Sequence, residues 1–128
     1  MNLSNLNILS IDYGERYVGL ALKKSSANIG FPLKIIDQKL NNLHDELDNK
    51  IKENEINLIV VGYPLGLNKQ MNRMTAVVDE FIDSLTFNIP IEKIDERFTS
   101  NIVSKRNIER NDDLSALEIL ESFLKKNE

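Results

Sequence analysis

The sequence predicts one α/β domain, spanning residues 1–128, with a five-stranded mixed sheet flanked by helices in the order β-β-β-α-β-α-β-α. Two observations carry this prediction. Apolar runs near the N-terminus are joined by turns that are too short for a crossover helix, which indicates antiparallel strands. Two later predicted strands, one of them a continuous apolar run, each follow an amphipathic helical pattern, which indicates strands that run parallel to their neighbours.

The chain begins with a β-hairpin. The runs from Ile8 to Asp12 and from Tyr17 to Leu22 have strand propensity, and the short link between them contains Gly14. A polar turn follows, after which the run from Phe31 to Ile36 is predicted as a third short strand. Three strands joined by tight turns form an antiparallel meander.

The rest of the chain alternates helices with strands. Strands at 58–61 and 91–95 enclose a second helix, and a third helix closes the chain. His44, the only histidine, lies among polar residues of the first helix, so we expect it to be exposed and without a catalytic role. The first helix is predicted from apolar residues at helical spacing, with Asn41 or Asn42 as its N-cap: Leu40, Leu43, Leu47 and Ile51.

Composition excludes several classes of protein. The chain has no cysteine, so disulfides and thiolate metal sites are excluded, and no apolar run approaches the roughly 18 residues of a membrane helix. We therefore expect a cytoplasmic protein without a membrane partner. The formal net charge of −4 disfavours unspecific binding to nucleic acid, so such a partner must be bound by a local basic patch.

Acidic residues are predicted to gather at the carboxyl ends of the parallel strands. Asp12 ends the first strand, Asp95 and Glu96 close the fifth, and Asp112 and Asp113 begin the last helix. Right-handed crossovers place the strand ends at one edge of the sheet, where α/β proteins bind ligands. Neighbouring strand residues face opposite sides, so only one of Asp95 and Glu96 can turn toward Asp12. For Asp12 taken alone, a metal ligand and a turn cap are equally consistent with the sequence.

A cluster of three carboxylates without His or Cys suits hard cations with oxygen ligands. This donor set favours Mg²⁺ or Mn²⁺ over Zn²⁺ as the cofactor. Two such ions about 4 Å apart can hold a phosphodiester, activate water and stabilise the leaving oxygen. The constellation therefore predicts a hydrolase of phosphodiester bonds that requires no side-chain base.

Four blocks of the sequence resemble a known family in order and spacing. They read IDYGERYVGLAL, VVGYPLGLNKQ, DERFTS and DDLSALEILESFLKK, and they extend over nearly the whole chain. They are similar to the blocks of the YqgF family, Holliday-junction-resolvase-like nucleases with the RNase H fold. The resemblance implies an RNase H-like fold and a metal-dependent nuclease that processes the 5′ end of pre-16S ribosomal RNA in ribosome biogenesis.

The resemblance also implies the site residues. It makes Asp12, Glu96 and Asp112 the catalytic acids that bind the metal. The last block of the family usually carries one acid, whereas this chain has two, so Asp113 is a further candidate metal ligand.

Six basic residues are candidates for a phosphate-binding track beside the acids. For Lys105, Arg106 and Arg110 the alternative is an ordinary solvated helix face. For Arg97 the alternative is a structural ion pair with the adjacent Glu96. The six follow the fourth strand or lie between the fifth strand and the last helix: Lys69, Arg73, Arg97, Lys105, Arg106 and Arg110.

The sequence therefore predicts a nuclease that acts on RNA, as a monomer or homodimer, with branched DNA as the alternative substrate. A resolvase of four-way junctions needs a symmetric dimer, because two opposed cuts require two sites. Two other classes compete with this interpretation. One is a phosphate-binding ATPase, suggested by Asp12-Tyr13-Gly14, whose usual second lobe does not fit in 128 residues. The other is a non-catalytic nucleic-acid-binding protein that retains the fold.

Overall fold

The computed structural model describes residues 3–65, 70–95 and 112–127. Within these ranges a short 3₁₀ turn at Leu3–Asn5 precedes five strands and three helices, in the order predicted from the sequence. No helix in these ranges is long and apolar enough to cross a membrane. The strands are β1 (Ile8–Asp12), β2 (Tyr17–Lys23), β3 (Phe31–Asp37), β4 (Leu58–Tyr63) and β5 (Ile91–Asp95); the helices are α1 (Leu43–Glu53), α2 (Arg73–Ser84) and α3 (Asp112–Lys126).

The five strands form one mixed sheet with β1 at its centre. The strand order is β3-β2-β1-β4-β5, with antiparallel pairing of β2 to β1 and β3 and parallel pairing of β4 to β1 and β5. The predicted α/β class and mixed sheet are confirmed. The carboxyl ends of β1, β4 and β5, at Asp12, Tyr63 and Asp95, share one edge of the sheet, which we call the site edge.

Asparagine caps determine where the first two helices begin. The Asn42 side chain accepts a hydrogen bond of 3.0 Å from the backbone N–H of Asp45, and Asn72 forms a reciprocal capping box with Thr75. Since α1 starts after Asn42, the prediction that Leu40 belongs to its apolar face is wrong. Leu40 lies in the preceding turn and is 79% exposed.

Helices cover both faces of the sheet. Alternation along β1 directs Leu9 and Ile11 into the core under α1 and α2, whereas Ile8 belongs to the core under α3. The residues of α3 that pack on the sheet recur at helical spacing and are buried: Ala116, Ile119, Leu120 and Phe123.

Two contacts determine the direction of α3. Near its start, the Ser10 hydroxyl donates a hydrogen bond of 2.8 Å to the Ala116 carbonyl oxygen. One turn later, Leu120 lies against Gly30, which directly precedes β3. Both β1 and β3 pair antiparallel with β2, so the start of β3 lies at the end of the sheet opposite the site edge. The helix therefore runs antiparallel to β1, and its N-terminus lies toward the site edge.

Candidate active site

Asp12 lies at the site edge on the face of the sheet that α3 covers. It is the last residue of β1 and is half-buried. It shares its face with Ser10, because residues two apart on a strand point the same way. Its partner on β2 is Gly19, and continuing the register of β1 with β4 by one residue places Gly62 on its other side. Neither neighbour has a side chain, so β2 and β4 place no side chain directly beside the Asp12 carboxylate.

The first turn of α3 is brought to the same edge. The helix begins at Asp112, and Ala116 in its second turn accepts the Ser10 hydrogen bond. Ser10 is two residues from Asp12, a distance of about 7 Å along a strand. Asp112 and Asp113 precede Ala116 by four and three residues, or about one helical turn. The fold thus brings together two of the elements that the sequence predicts to carry acids.

Strand β5 distinguishes between the two acids at its end. Ile94 is 7% exposed and packs in the core beneath α3. Asp95, the next residue, therefore points to the opposite face of the sheet, the side of α1 and α2. This excludes Asp95 as a partner of Asp12. Glu96, the predicted ligand, lies outside the described residues.

The predicted metal set is only partly within the part of the chain that the structure describes. Among the residues whose side chains the structure describes, 3–65, 70–95 and 114–127, no group of three His, Cys, Asp or Glu residues is placed to hold a metal ion. Glu96 and the side chains of Asp112 and Asp113 fall outside these ranges, so the predicted set stays a prediction. Its donors are carboxylate oxygens throughout, and this chemistry fits Mg²⁺ or Mn²⁺.

Arg73 is the one predicted phosphate-binding residue within the described ranges. It begins α2, and its guanidinium donates to both carboxylate oxygens of Glu15 in the β1–β2 turn, at 2.9 and 2.7 Å. The side chains are 71% and 53% exposed, so water screens the pair and little free energy is lost if a phosphate replaces Glu15. The other five predicted residues lie outside the described ranges: Lys69, Arg97, Lys105, Arg106 and Arg110.

A further ion pair lies at the site edge beside the β1–β2 turn. The Arg16 guanidinium bonds the Asp37 carboxylate at 3.3 and 3.4 Å and lies over the Tyr17 ring, 4.9 Å from its centroid. The hydrogen bond from Arg16 lowers the pKa of Asp37, and the same bond raises the pKa of Arg16. Both groups are therefore charged at neutral pH and hold the start of β2 against the end of β3.

A three-residue network joins α2 to β4 and β5. The Tyr63 hydroxyl donates to Asp79 Oδ2 at 2.8 Å, and Lys93 Nζ donates to Asp79 Oδ1 at 3.1 Å. These hydrogen bonds lower the pKa of Asp79 and raise the pKa of both Tyr63 and Lys93. The Lys93 ammonium also lies 4.6 Å from the centroid of the Tyr63 ring. The network packs on the face opposite α3 and supports the sheet next to the site edge.

A cleft of about 590 Å³ opens between the β1–β2 turn and the two helices α1 and α2. Tyr13 and His44 are among its lining residues, and the Tyr13 ring stacks on Phe81 with a centroid separation of 4.3 Å. His44 is exposed, as predicted, and its Nε2 lies 3.0 Å from Ser84 Oγ. The cleft belongs to the face opposite α3, so it is separate from the face of Asp12.

The sequence prediction missed three residues that shape the surroundings of Asp12. Ser10 is a polar residue within an apolar strand two positions before the acid, a signal that was available in the sequence. Gly19 and Gly62 each interrupt a run of apolar strand residues, which often marks a close approach of a backbone or ligand. Only the register of the sheet shows that both glycines adjoin Asp12.

Similar proteins agree with this fold and with the predicted family. A family model described as "RuvX: Holliday junction resolvase" matches residues 6–126. A Rickettsia bellii protein named "Putative pre-16S rRNA nuclease" is 33% identical, covering 95% of this chain and 88% of the relative. A Dictyoglomus turgidum protein of the same name is 35% identical, covering 74% of this chain and 70% of the relative.

Among solved structures, T. thermophilus RuvC in complex with a Holliday junction substrate matches with a TM-score of 0.60. The two chains are 10% identical over 89% of each. At this identity the likeness shows a shared fold, and it confirms the predicted RNase H-like architecture. The family match and the curated relatives each span most of the sequence. The chain therefore belongs to the RuvX (YqgF) family.

Proposed function

We propose that this protein is a cytoplasmic, metal-dependent nuclease that hydrolyses RNA in the processing of the 5′ end of pre-16S ribosomal RNA. The observation that carries the proposal is the placement of Asp12. It ends the central strand between two glycines, on the face and at the edge toward which α3 brings its first turn. The names of the relatives in the family support the substrate class.

The acids of the site would hold two divalent cations. We assign Asp12, Glu96 and Asp112 as ligands, with Asp113 as a further candidate. Bound Mg²⁺ or Mn²⁺ lowers the pKa of water and neutralises charge that develops on the phosphate oxygens. Because Gly19 and Gly62 carry no side chain, neither β2 nor β4 blocks the approach of cations and the phosphate to the backbone beside Asp12.

Basic residues would guide the strand to the acids. Arg73 carries this role within the described ranges, and a substrate phosphate exchanges with Glu15 as its partner. Lys69, Arg97 and the segment from Lys105 to Arg110 extend the same track in the proposal. Because these contacts are electrostatic, binding of RNA should weaken steeply as salt rises.

The first test compares two acids at the site edge that face opposite sides of the sheet. Asp12→Asn should lower RNA cleavage by more than about 100-fold, since even residues that only support metal ligands cost 10–100-fold when changed. Its melting temperature should be unchanged or raised, because one charge leaves a repulsive cluster. Asp95→Asn is the matched control and should cleave like the parent. Parent-like cleavage by Asp12→Asn would leave a non-catalytic nucleic-acid-binding protein as the better interpretation.

A second candidate function is resolution of branched DNA, which the likeness to RuvC favours. A resolvase has to act as a symmetric dimer, whereas cleavage of a single strand needs one copy of the site. The discriminating assay offers single-stranded RNA, duplex RNA and a four-way DNA junction under the same Mg²⁺ and salt conditions. We expect the single-stranded RNA to be cut in preference. Paired symmetric incision of the junction with the RNA left intact would reject the RNA proposal.

A further inference from the structure

A buried hydroxyl connects the two acid-bearing elements that the fold brings together. Ser10 is 0% exposed in the central strand, and its Oγ donates to the Ala116 carbonyl oxygen at 2.8 Å across 106 residues of sequence. As an interior residue of α3, Ala116 also lies where its carbonyl accepts the usual helical bond from four residues later. The helix does not need the serine to satisfy this carbonyl, so the bond satisfies the buried hydroxyl and adds a direct link between β1 and α3.

The position of this bond relative to the acids is specific. Ser10 precedes Asp12 by two residues on the same face of β1, and Ala116 follows Asp112 by one helical turn. Further along the helix, Ile119 and Phe123 pack on the sheet through apolar contacts. Apolar contacts have no direction and allow small sliding movements, whereas a hydrogen bond of this length fixes a distance between two atoms.

We propose that Ser10 is a positioning residue. Its hydroxyl fixes how far along β1 the first turn of α3 lies from Asp12, and this distance determines the spacing of the metal-binding carboxylates. The inference rests on the proposed function, because it assigns a role to Ser10 only if these acids bind cations. Two-metal sites need their ions about 4 Å apart. A displacement of one ligand by about 1 Å is enough to cost about 100-fold in rate.

The test removes the hydroxyl and measures cation binding directly. Ser10→Ala should weaken Mn²⁺ binding, measured by titration calorimetry without substrate, by about tenfold or more. Cleavage of RNA should fall in kcat, with KM unchanged, because Ser10 does not contact the strand. Ser10→Cys keeps the size of the side chain with a weaker donor and should lie between Ser10→Ala and the parent.

Ile8→Val is the matched control for packing. Ile8 lies on the same strand and face, fully buried beneath α3, but two residues further from the site edge. Removing one of its methyl groups should lower the melting temperature without changing Mn²⁺ binding. If Ser10→Ala binds Mn²⁺ like the parent, or loses no more than Ile8→Val, the positioning role is overturned.

Asp12→Asn separates this failure from a failure of the proposed function. If Asp12→Asn loses Mn²⁺ binding while Ser10→Ala keeps it, the proposed metal site is supported and only the role of Ser10 is rejected. If Asp12→Asn binds Mn²⁺ as the parent does, the cations bind elsewhere, and both proposals are overturned together.

Discussion

Gly30 gives the sharpest test of how α3 is seated on the sheet. This glycine precedes β3, and a Cβ built on it would lie 2.4 Å from Leu120 Cδ2 and 3.3 Å from Leu117 Cδ1. Ordinary carbon contacts are about 3.5–4.0 Å, so the Gly30→Ala methyl requires a shift of more than about 1 Å. The end of a leucine side chain usually moves easily. Leu120 is fully buried, however, so either its rotamer or the helix must shift.

The expected cost follows from two opposing effects. Overpacking of a buried site destabilises proteins by about 1–3 kcal/mol. Replacing a glycine by alanine restricts the unfolded chain, which returns about 0.4–1 kcal/mol where the backbone is compatible. The backbone at Gly30 has no positive φ, so this gain applies. Gly30→Ala should therefore lower the free energy of unfolding by about 1–2 kcal/mol.

The contact itself is tested by a double-mutant cycle measured by urea unfolding. Leu120→Ala alone should cost about 2–5 kcal/mol, because it leaves a cavity in the core. In the double variant the new methyl of residue 30 enters that cavity, so the combined loss should be smaller than the sum by about 1–2 kcal/mol. Additive losses would mean that Gly30 and Leu120 do not touch. The direction of α3 deduced from this contact would then be wrong.

Two further predictions concern acids. Asp112 and Asp113 differ by about 100° around the helix, so we expect only one of them to bind the metal. Asp112→Asn should lower RNA cleavage with little change in stability, whereas Asp113→Asn should lower the free energy of unfolding by roughly 0.5–1 kcal/mol and keep cleavage. The reverse pattern in the cleavage and unfolding assays would assign the ligand role to Asp113. Asp79 has a lowered pKa in the folded state, so its interactions stabilise the protein above the unfolded value of 3.8 and are lost as pH falls through the folded pKa. Asp79→Asn should thus be less stable than the parent by at most about 1 kcal/mol at pH 7, and the gap should close below about pH 4 in thermal melts; a gap independent of pH would contradict the assignment.

The sequence was sufficient to predict most elements because their signals are local. Strand β5 was predicted at 91–95 and is found there, directly after the Asn88-Ile89-Pro90 break that follows the second helical pattern. The misplaced residue, Leu40, shows the limit of periodicity. Its spacing fits the apolar face of α1, but the Asn42 side chain accepts a hydrogen bond from the backbone N–H of Asp45 and caps the helix, which begins at Leu43.

The pairings around the site were beyond the reach of the sequence because they join residues far apart in it. The Ser10 hydroxyl meets Ala116 across 106 positions, and Arg73 meets Glu15 across 58. From the sequence alone, an arginine near a predicted phosphate site can equally be free or paired with an acid. Which of the two applies depends on how far α2 lies from the β1–β2 turn, and no local pattern encodes this distance.

The glycine beside Asp12 depends on the register of the hairpin. The link from 13 to 16 sets Asp12 opposite Gly19, and each strand then alternates between the two cores. A slip of one residue would place Val18 or Leu20 beside the carboxylate and would move every buried side chain of β2 to the wrong face. Burial of the β2 side chains thus enforces the same register that sets Gly19 beside Asp12. Packing of the core and the absence of a β2 side chain beside the acid are therefore specified by one feature, the number of residues in the first turn.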